Sequence, residues 1–235
     1  MCGRFSNRHV TADDIVGRLH AKLRAQVAEQ ALGRANLAPT QQMLTIVRGK
    51  DGEREAISAR FGLVPSWSKL KGGRLFINAR DDALATSRVW KPLVSDASHR
   101  ALIVTDGYYE WLKAEDATQP SQPFFHRLPG GQPFCFAGLW TTATPKDAEK
   151  PVTSALIVAT RANREAARVH DRMPAILDGP DAEAAWLSPD VDLDGALDLV
   201  HPLPDGRLEV FPVSTLVNNV RNEGDELTEP LGQAT

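Results

Sequence analysis

Near the start of the chain apolar residues recur at helical spacing, and further on they give way to short unbroken runs. Ile15, Val16, Leu19, Leu23 and Val27 lie three or four positions apart, which predicts an amphipathic helix over residues 12–31. Thr11-Ala-Asp-Asp14 precedes it with the pattern of a capping box, Asp standing in for Glu, and Gly33 offers a stop. Runs rich in β-branched and aromatic residues follow at Met43–Arg48, Ala56–Val64, Arg100–Thr105, Tyr108–Lys113, Phe124–Leu128, Phe134–Leu139, Ser154–Ala159 and Leu208–Val213. Gly and Pro clusters separate them, as at Gly49-Lys-Asp-Gly52 and Pro129-Gly-Gly131. Further helices are predicted over Ala79–Ala85, Arg161–Val169, Asp181–Leu187 and Leu193–Val200. Strands outnumber helices and do not alternate with them, so the expected fold is α+β, a curved, barrel-like, mostly antiparallel sheet flanked by helices. A single domain over residues 1–222 and a loose polar tail over 223–235 complete the expected organisation.

Composition narrows the class without naming a function. With 42% hydrophobic and 24% charged residues among 235, intrinsic disorder, collagen and coiled coil are excluded. No stretch reaches the ~18 uncharged apolar residues of a membrane span, and no signal-peptide run opens the chain. Two cysteines, Cys2 and Cys135, are too few for a disulfide scaffold. Reduced thiols and a cytoplasmic location are therefore expected. The net charge of −3 conceals an asymmetry: residues 178–235 hold 13 acids against two bases, leaving 17 acids against 25 bases in residues 1–177. Such a distribution permits a local phosphate-binding face on a mildly acidic protein.

Cys2 carries the most distinctive chemistry. Removal of Met1 would leave an α-amine and a thiol on one residue. The amine, with a reference pKa of ~7.7–8.0, is partly neutral near pH 7. It condenses with an aldehyde to an imine, on which the thiol closes to give a thiazolidine. A cysteine beside a start codon also has an incidental explanation.

Three more segments invite attention. Asn78-Ala-Arg80 places an amide and a guanidinium where the apolar Leu75-Phe76-Ile77 ends. Glu110, within Asp106-Gly-Tyr-Tyr-Glu-Trp111, sits among aromatics that would raise its pKa and suit it to proton transfer. His170 lies between Val169 and Asp171-Arg172. Each also has a plain structural reading, as an Asn cap, a salt-bridged Glu and a satisfied histidine. No CxxC, HExxH, P-loop, GxGxxG or GxSxG occurs, so no metal and no cofactor are expected.

In order along the chain, Cys2-Gly-Arg-Phe5, Asn36-Leu-Ala-Pro39, Gly62-Leu-Val-Pro-Ser-Trp67, Asn78-Ala-Arg80, Asp106-Gly-Tyr-Tyr-Glu-Trp111, Phe136-Ala-Gly-Leu-Trp140, His170-Asp-Arg-Met-Pro174 and Val213-Ser-Thr-Leu-Val-Asn-Asn219 resemble the SOS response-associated peptidase (SRAP) family, over residues 2–222. The resemblance implies single-stranded DNA, or its junctions with duplex, as partner. It further implies covalent trapping of abasic sites as a thiazolidine, and autoproteolytic removal of the residue preceding Cys2. It assigns Cys2 as nucleophile, Asn78 to hold the sugar or the amine, Glu110 to move protons and His170 to assist ring opening. Arg4, Pro39, Trp67 and Arg80 in the matching motifs become DNA-binding candidates; Arg161, Arg164 and Arg172 join them as arginines able to meet phosphates. A monomer acting on nucleoid DNA is expected.

The chain departs from the family pattern at Phe61, where Trp is frequent, and at Asp81-Asp82, which put two negative charges beside a DNA site. Two other readings compete: an N-terminal-nucleophile amidohydrolase of glutaminase type, because Met-Cys-Gly opens those chains too, and a non-covalent DNA-binding module.

Overall fold

The computed structural model describes residues 2–114, Asp116 and 118–232. In chain order the elements are β1 (Phe5–Ser6), β2 (Ala21–Lys22), α1 (Ala25–Ala31), β3 (Gln42–Arg48), β4 (Arg54–Phe61), β5 (Asn78–Arg80), α2 (Asp81–Leu84), α3 (Trp90–Ser95), β6 (Arg100–Thr105), β7 (Gly107–Leu112), β8 (Gln122–Arg127), β9 (Phe134–Ala143), β10 (Val152–Arg161), β11 (Arg172–Pro174), β12 (Ile176–Leu177), α4 (Pro180–Leu187), α5 (Leu193–Asp198) and β13 (Glu209–Pro212). Strands β4, β3, β6, β9 and β10 follow one another by antiparallel pairing, and β10 returns to β4 in parallel at Ala155↔Phe61. The ring closes, so these five strands form a barrel. A second sheet, in the order β1-β7-β8-β13, is antiparallel throughout. This is the α+β, barrel-like arrangement the sequence predicts.

Two of the barrel strands, β6 and β10, bury both faces. All six residues of β6 and all but the ends of β10 are buried, which is why their sequences read as continuous apolar runs rather than alternations. Alternate side chains divide between two cores. Leu44, Ile46, Leu102, Val104, Leu156 and Val158 pack with Ile15, Trp90 and Trp186 from the covering turns and helices. Met43, Phe61, Ile103, Phe136 and Ile157 pack instead with Cys2, Phe5 and Tyr108. The second sheet and the N-terminal segment thus share a core with one face of the barrel. Gly138 marks a close approach on β9: a Cβ there would meet the Ile103 side chain at 2.8 Å and the Leu156 carbonyl at 3.1 Å.

The helix expected over 12–31 is broken. Its start is as read: the Thr11 amide and hydroxyl both donate to Asp14 Oδ2, at 2.8 and 2.7 Å, and the Asp14 amide donates back to Thr11 Oγ1 at 3.2 Å. A single π-helical turn spans Asp14–Arg18, His20 takes φ +52°, and β2 then pairs in parallel with Arg54–Glu55 before α1 begins. Of the apolar stripe, Ile15 and Leu19 are buried as the periodicity requires while Val16 is 55% exposed; the free edge of β4 captures residues 21–22, and Arg54 Nη1 donates to the Leu19 carbonyl at 2.9 Å. Tertiary pairing overrides local propensity. The same holds at residues 161–169, where Arg161 stays extended against Arg172 and only Ala166–Arg168 turn as a 3₁₀ helix, and at residues 78–80, which add β5 to the side of β10 before α2 starts.

Residues 223–232 are not loose. Leu227 is fully buried, Glu223 accepts from the Ala35 amide at 2.7 Å and pairs with Arg34, Arg8 pairs with Asp225, and the Leu231 amide donates to the Pro212 carbonyl. Residues 233–235 of the expected tail lie outside the described residues. Among the described residues no helix is long and apolar enough to cross a membrane.

Candidate active site

The N-terminal segment is held on two sides. Phe5 pairs with Tyr108 of β7, the Tyr109 amide donates to the Arg4 carbonyl at 2.9 Å, and Phe5 exchanges backbone hydrogen bonds with Leu37 at 3.2 and 2.8 Å. Extended by two residues beyond Phe5, the first register would set Gly3 opposite Glu110 and the second would set it opposite Pro39. Cys2 is thereby fully buried, its thiol donating to the Arg4 carbonyl with Sγ 3.6 Å from the oxygen. Burial, reinforced by the nearby Glu110 carboxylate, pushes the thiol well above its ordinary range, so it rests protonated.

Arg4 is occupied elsewhere. Its Nη1 donates to Asn36 Oδ1 at 2.7 Å and to the Val217 carbonyl at 2.8 Å, and its guanidinium lies 5.6 Å from the Trp111 ring centroid. The Asn36 amide is itself directed at the carbonyls of Val217, Asn219 and Asn222. Three of the sequence motifs are therefore one structural clamp around the start of the chain, and Arg4 serves it rather than facing solvent as a phosphate ligand.

Glu110 is buried on β7, and that burial raises its carboxyl above the ordinary value, with the charge of His170 pulling the other way. His170 follows the turn at Ala166–Arg168 and is about one-third exposed. Its Nδ1 accepts from the Arg172 amide at 3.0 Å and lies 2.9 Å from Asp171 Oδ1. Asn78 arrives from the opposite direction, on β5. Its Nδ2 donates to the Ile157 carbonyl at 3.3 Å, while its buried Oδ1 has no hydrogen-bond partner among the described residues. Ile77 and Ile157 beside it pack on the core that contains Cys2.

Beyond Asn78 opens a cavity of about 420 Å³ lined by Trp67, Arg74, Phe76, Asn78, Arg80 and Trp90. Trp67 is 53% exposed and meets the edge of Phe76, over which the Arg74 guanidinium lies at 5.0 Å. An exposed aromatic ring beside two arginines suits a base and its phosphates. Arg74 escaped the sequence reading because it stands in a glycine-flanked loop with no periodic signal. Arg80 is paired with Asp82, and Arg172 Nη1 donates to Asp81 Oδ1 at 2.7 Å and Nη2 to Asp82 Oδ2 at 3.3 Å. The two extra acids are thus neutralised by the arginines beside them. Arg161 is exposed next to Arg172 across the β10–β11 pair. Arg164 stands apart, its amide on Asp205 and its guanidinium on Glu165. Phe61, where the family often has Trp, is a core residue packed edge-on to Phe5 at 5.5 Å, so that departure changes packing and not a surface contact. Among the described residues no group of three or more His, Cys, Asp or Glu is placed to hold a metal ion.

Comparison with known proteins identifies the family. The sequence model described as "SOS response associated peptidase (SRAP)" matches residues 1–220. The chain is 35% identical over 234 residues to the abasic site processing protein YoqW of Bacillus subtilis, covering 97% of this chain and 99% of that one. It is 31% identical over 235 residues to the abasic site processing protein YedK of Escherichia coli, covering 98% and 100%. Among solved structures, a protein from Bacteroides thetaiotaomicron superposes with a TM-score of 0.81 over 97% of this chain and 99% of that one, at 16% identity, a likeness of fold. With the family match spanning nearly the whole chain and relatives of this similarity at full length, the chain belongs to the SOS response associated peptidase (SRAP) family.

Proposed function

We propose that the protein processes abasic sites, binding single-stranded DNA and capturing the open sugar aldehyde through Cys2 once Met1 has been removed. The names of the relatives support abasic-site processing in general. One observation carries the finer reading: the buried Cys2 thiol lies within electrostatic reach of the buried Glu110 carboxyl near the beginning of the chain, while the buried Asn78 Oδ1 has no hydrogen-bond partner among the described residues.

The chemistry follows from these groups. The abasic sugar is mostly a closed hemiacetal, and opening it moves a proton from the anomeric hydroxyl and another onto the ring oxygen. His170 and Glu110 supply that transfer. The α-amine of Cys2 attacks the aldehyde carbon and water leaves, giving an imine. The Cys2 sulfur then forms a bond to the same carbon, the C=N π pair moves to nitrogen, and the thiol proton follows it. The five-membered ring that results removes the imine, which would otherwise accelerate β-elimination and strand breakage. The raised Glu110 carboxyl fits both parts of a proton carrier, acid in one step and base in the next. Asn78 Oδ1 accepts from the amine and orients its lone pair. Trp67, Arg74 and Arg80 receive the adjoining base and phosphates. Removal of Met1 by the same residues is the peptidase half of the reading.

Intact-mass measurement tests it. The isolated protein should lack Met1, and incubation with a single-stranded abasic oligonucleotide should give a denaturant-stable species equal in mass to protein plus DNA less one water. Retention of Met1 in the reactive species defeats the proposal. So does an unchanged adduct when extra residues that cannot be trimmed precede Cys2.

A further inference from the structure

The strand face that bears Glu110 bears a second buried polar group, which the chemistry above leaves unused. Tyr108 lies two residues earlier on β7 and so points to the same side of the sheet. It is fully buried, its ring stacked on His126 across the β7–β8 pair at 4.4 Å and 15°, and edge-on to Phe136 at 5.9 Å. Its hydroxyl has no hydrogen-bond partner among the described residues. A buried hydroxyl without a partner is destabilising, so a fold that needed only the ring would be better served by Phe. The hydroxyl belongs to the same core as Cys2 and lies within electrostatic reach of both the Cys2 thiol and the Glu110 carboxyl. Burial and those two neighbours keep it protonated, hence a donor. His126, pushed down to about 3 by burial, is neutral and brings no charge of its own; Arg168 acts on it, as His170 acts on Glu110.

We propose that the Tyr108 hydroxyl is the donor that receives the Cys2 thiolate as it forms, an O–H···S⁻ contact absent while the thiol is protonated and turned to the Arg4 carbonyl. The inference rests on the capture reading and deepens it. A buried thiol that must ionise needs a group to replace solvent, and an unsatisfied phenol in the same apolar core supplies one at no cost in charge. In the ring-closing step the Cys2 thiol passes its proton to the Glu110 carboxylate and the sulfur lone pair forms the S–C bond. The C=N π pair moves to nitrogen, which takes the proton back from Glu110. Tyr108 keeps its own proton throughout, donating to sulfur until the new bond withdraws the charge.

Tyr108→Phe in the full chain removes the one oxygen and keeps the ring stack. Two readouts apply: the pH dependence of Cys2 alkylation by iodoacetamide, followed by peptide mass, and the single-turnover rate of adduct formation with abasic DNA. The expected result is a rise of about one pH unit in the alkylation midpoint with adduct formation about tenfold slower near neutrality, and a melting temperature unchanged or higher. An alkylation profile superimposable on the wild type overturns the inference, whatever the melting temperature. Absence of any adduct from the wild-type chain defeats the capture reading instead. The alkylation midpoint still decides the Tyr108 contact in that event, a shift keeping it and no shift removing it.

Discussion

Cys2 and Cys135 make a controlled comparison within one molecule. Both thiols are fully buried, both have a carboxylate neighbour, and burial drives both upward from the ordinary thiol range. Cys135 lies within β9, bridged to Val104 on one side and Leu177 on the other. Its neighbours Arg18 and Glu183 are joined to each other at 3.0 Å, and Arg18 Nη2 reaches the sulfur at 3.8 Å. The thiol and the carboxylate there are both engaged by Arg18, whose own Nε lacks a partner among the described residues, and the backbone is fixed by two sheet neighbours. Cys2 precedes its strand, and beside it Asn78 Oδ1 and the Tyr108 hydroxyl lack partners among the described residues. A thiol next to a carboxylate is therefore no signature of reactivity. What separates the two is that Cys135 is paired within its sheet on both sides, while Cys2 precedes its strand and shares its core with a phenol hydroxyl that has no partner among the described residues.

The comparison can be broken at four points. Cys2→Ala should abolish the covalent adduct, a loss of at least about a hundredfold by denaturing gel. Cys135→Ala should leave adduct formation within about twofold while costing about 1–2 kcal/mol in denaturant unfolding, the expected result of a small buried cavity. Equal losses in both variants would end the distinction.

The two carboxylates should diverge in the same way. Glu110→Gln is expected to slow capture about a hundredfold, the size of a lost general acid–base group. Glu183→Gln should capture at the wild-type rate yet be less stable by about 3 kcal/mol, because Arg18 is left without its partner charge. Single-turnover kinetics and urea melts separate these outcomes.

Glu110→Gln should also be more stable than the wild type near pH 7. The folded protein holds this carboxyl above its ordinary value of 4.5, so ionisation above that range weakens the fold. The sign is fixed: the stabilisation should be present at neutral pH and vanish as pH falls below about 4.5, where the wild-type group is protonated folded and unfolded alike. A gain that is independent of pH would show that the charge of Glu110 is not what costs stability.

The smallest effect concerns charges held in reserve. Asp81→Asn with Asp82→Asn releases Arg80 and Arg172. Affinity for undamaged single strands should rise severalfold, with the salt dependence steeper by up to ~0.7 in slope per arginine freed. Fluorescence anisotropy across a salt series measures both, and a decrease in affinity would mean that the acids shape the groove rather than mask it.

How much of this was legible depended on where the determinants lie. The barrel strands could be read because a strand buried on both faces writes itself as an apolar run, and Arg100–Thr105 is found with the bounds the sequence suggests. Closure could not be read, since the parallel pairing of Ala155 with Phe61 joins distant residues and leaves no local pattern. Residues 12–31 misled because burial of Ile15 and Leu19 is compatible with a helix, while the competing edge of β4 lies more than thirty residues away. The apolar setting of Glu110 was visible in its aromatic neighbours. The occupation of Arg4 was not, as its partners are Asn36 and Val217, and Glu223 read as a solvated tail only because Arg34 and Ala35 are remote in sequence.

The clamp that joins Arg4 and Asn36 to residues 217–222 has a consequence for biosynthesis. Arg4 and its acceptor at Val217 are 213 residues apart, so during translation the clamp stays open until residues 217–222 have been made. A chain cut short before Val217 would keep the Tyr109–Arg4 and Phe5–Leu37 contacts but lose the carbonyls that fix Arg4 and Asn36, leaving the segment that carries Cys2 held on fewer sides.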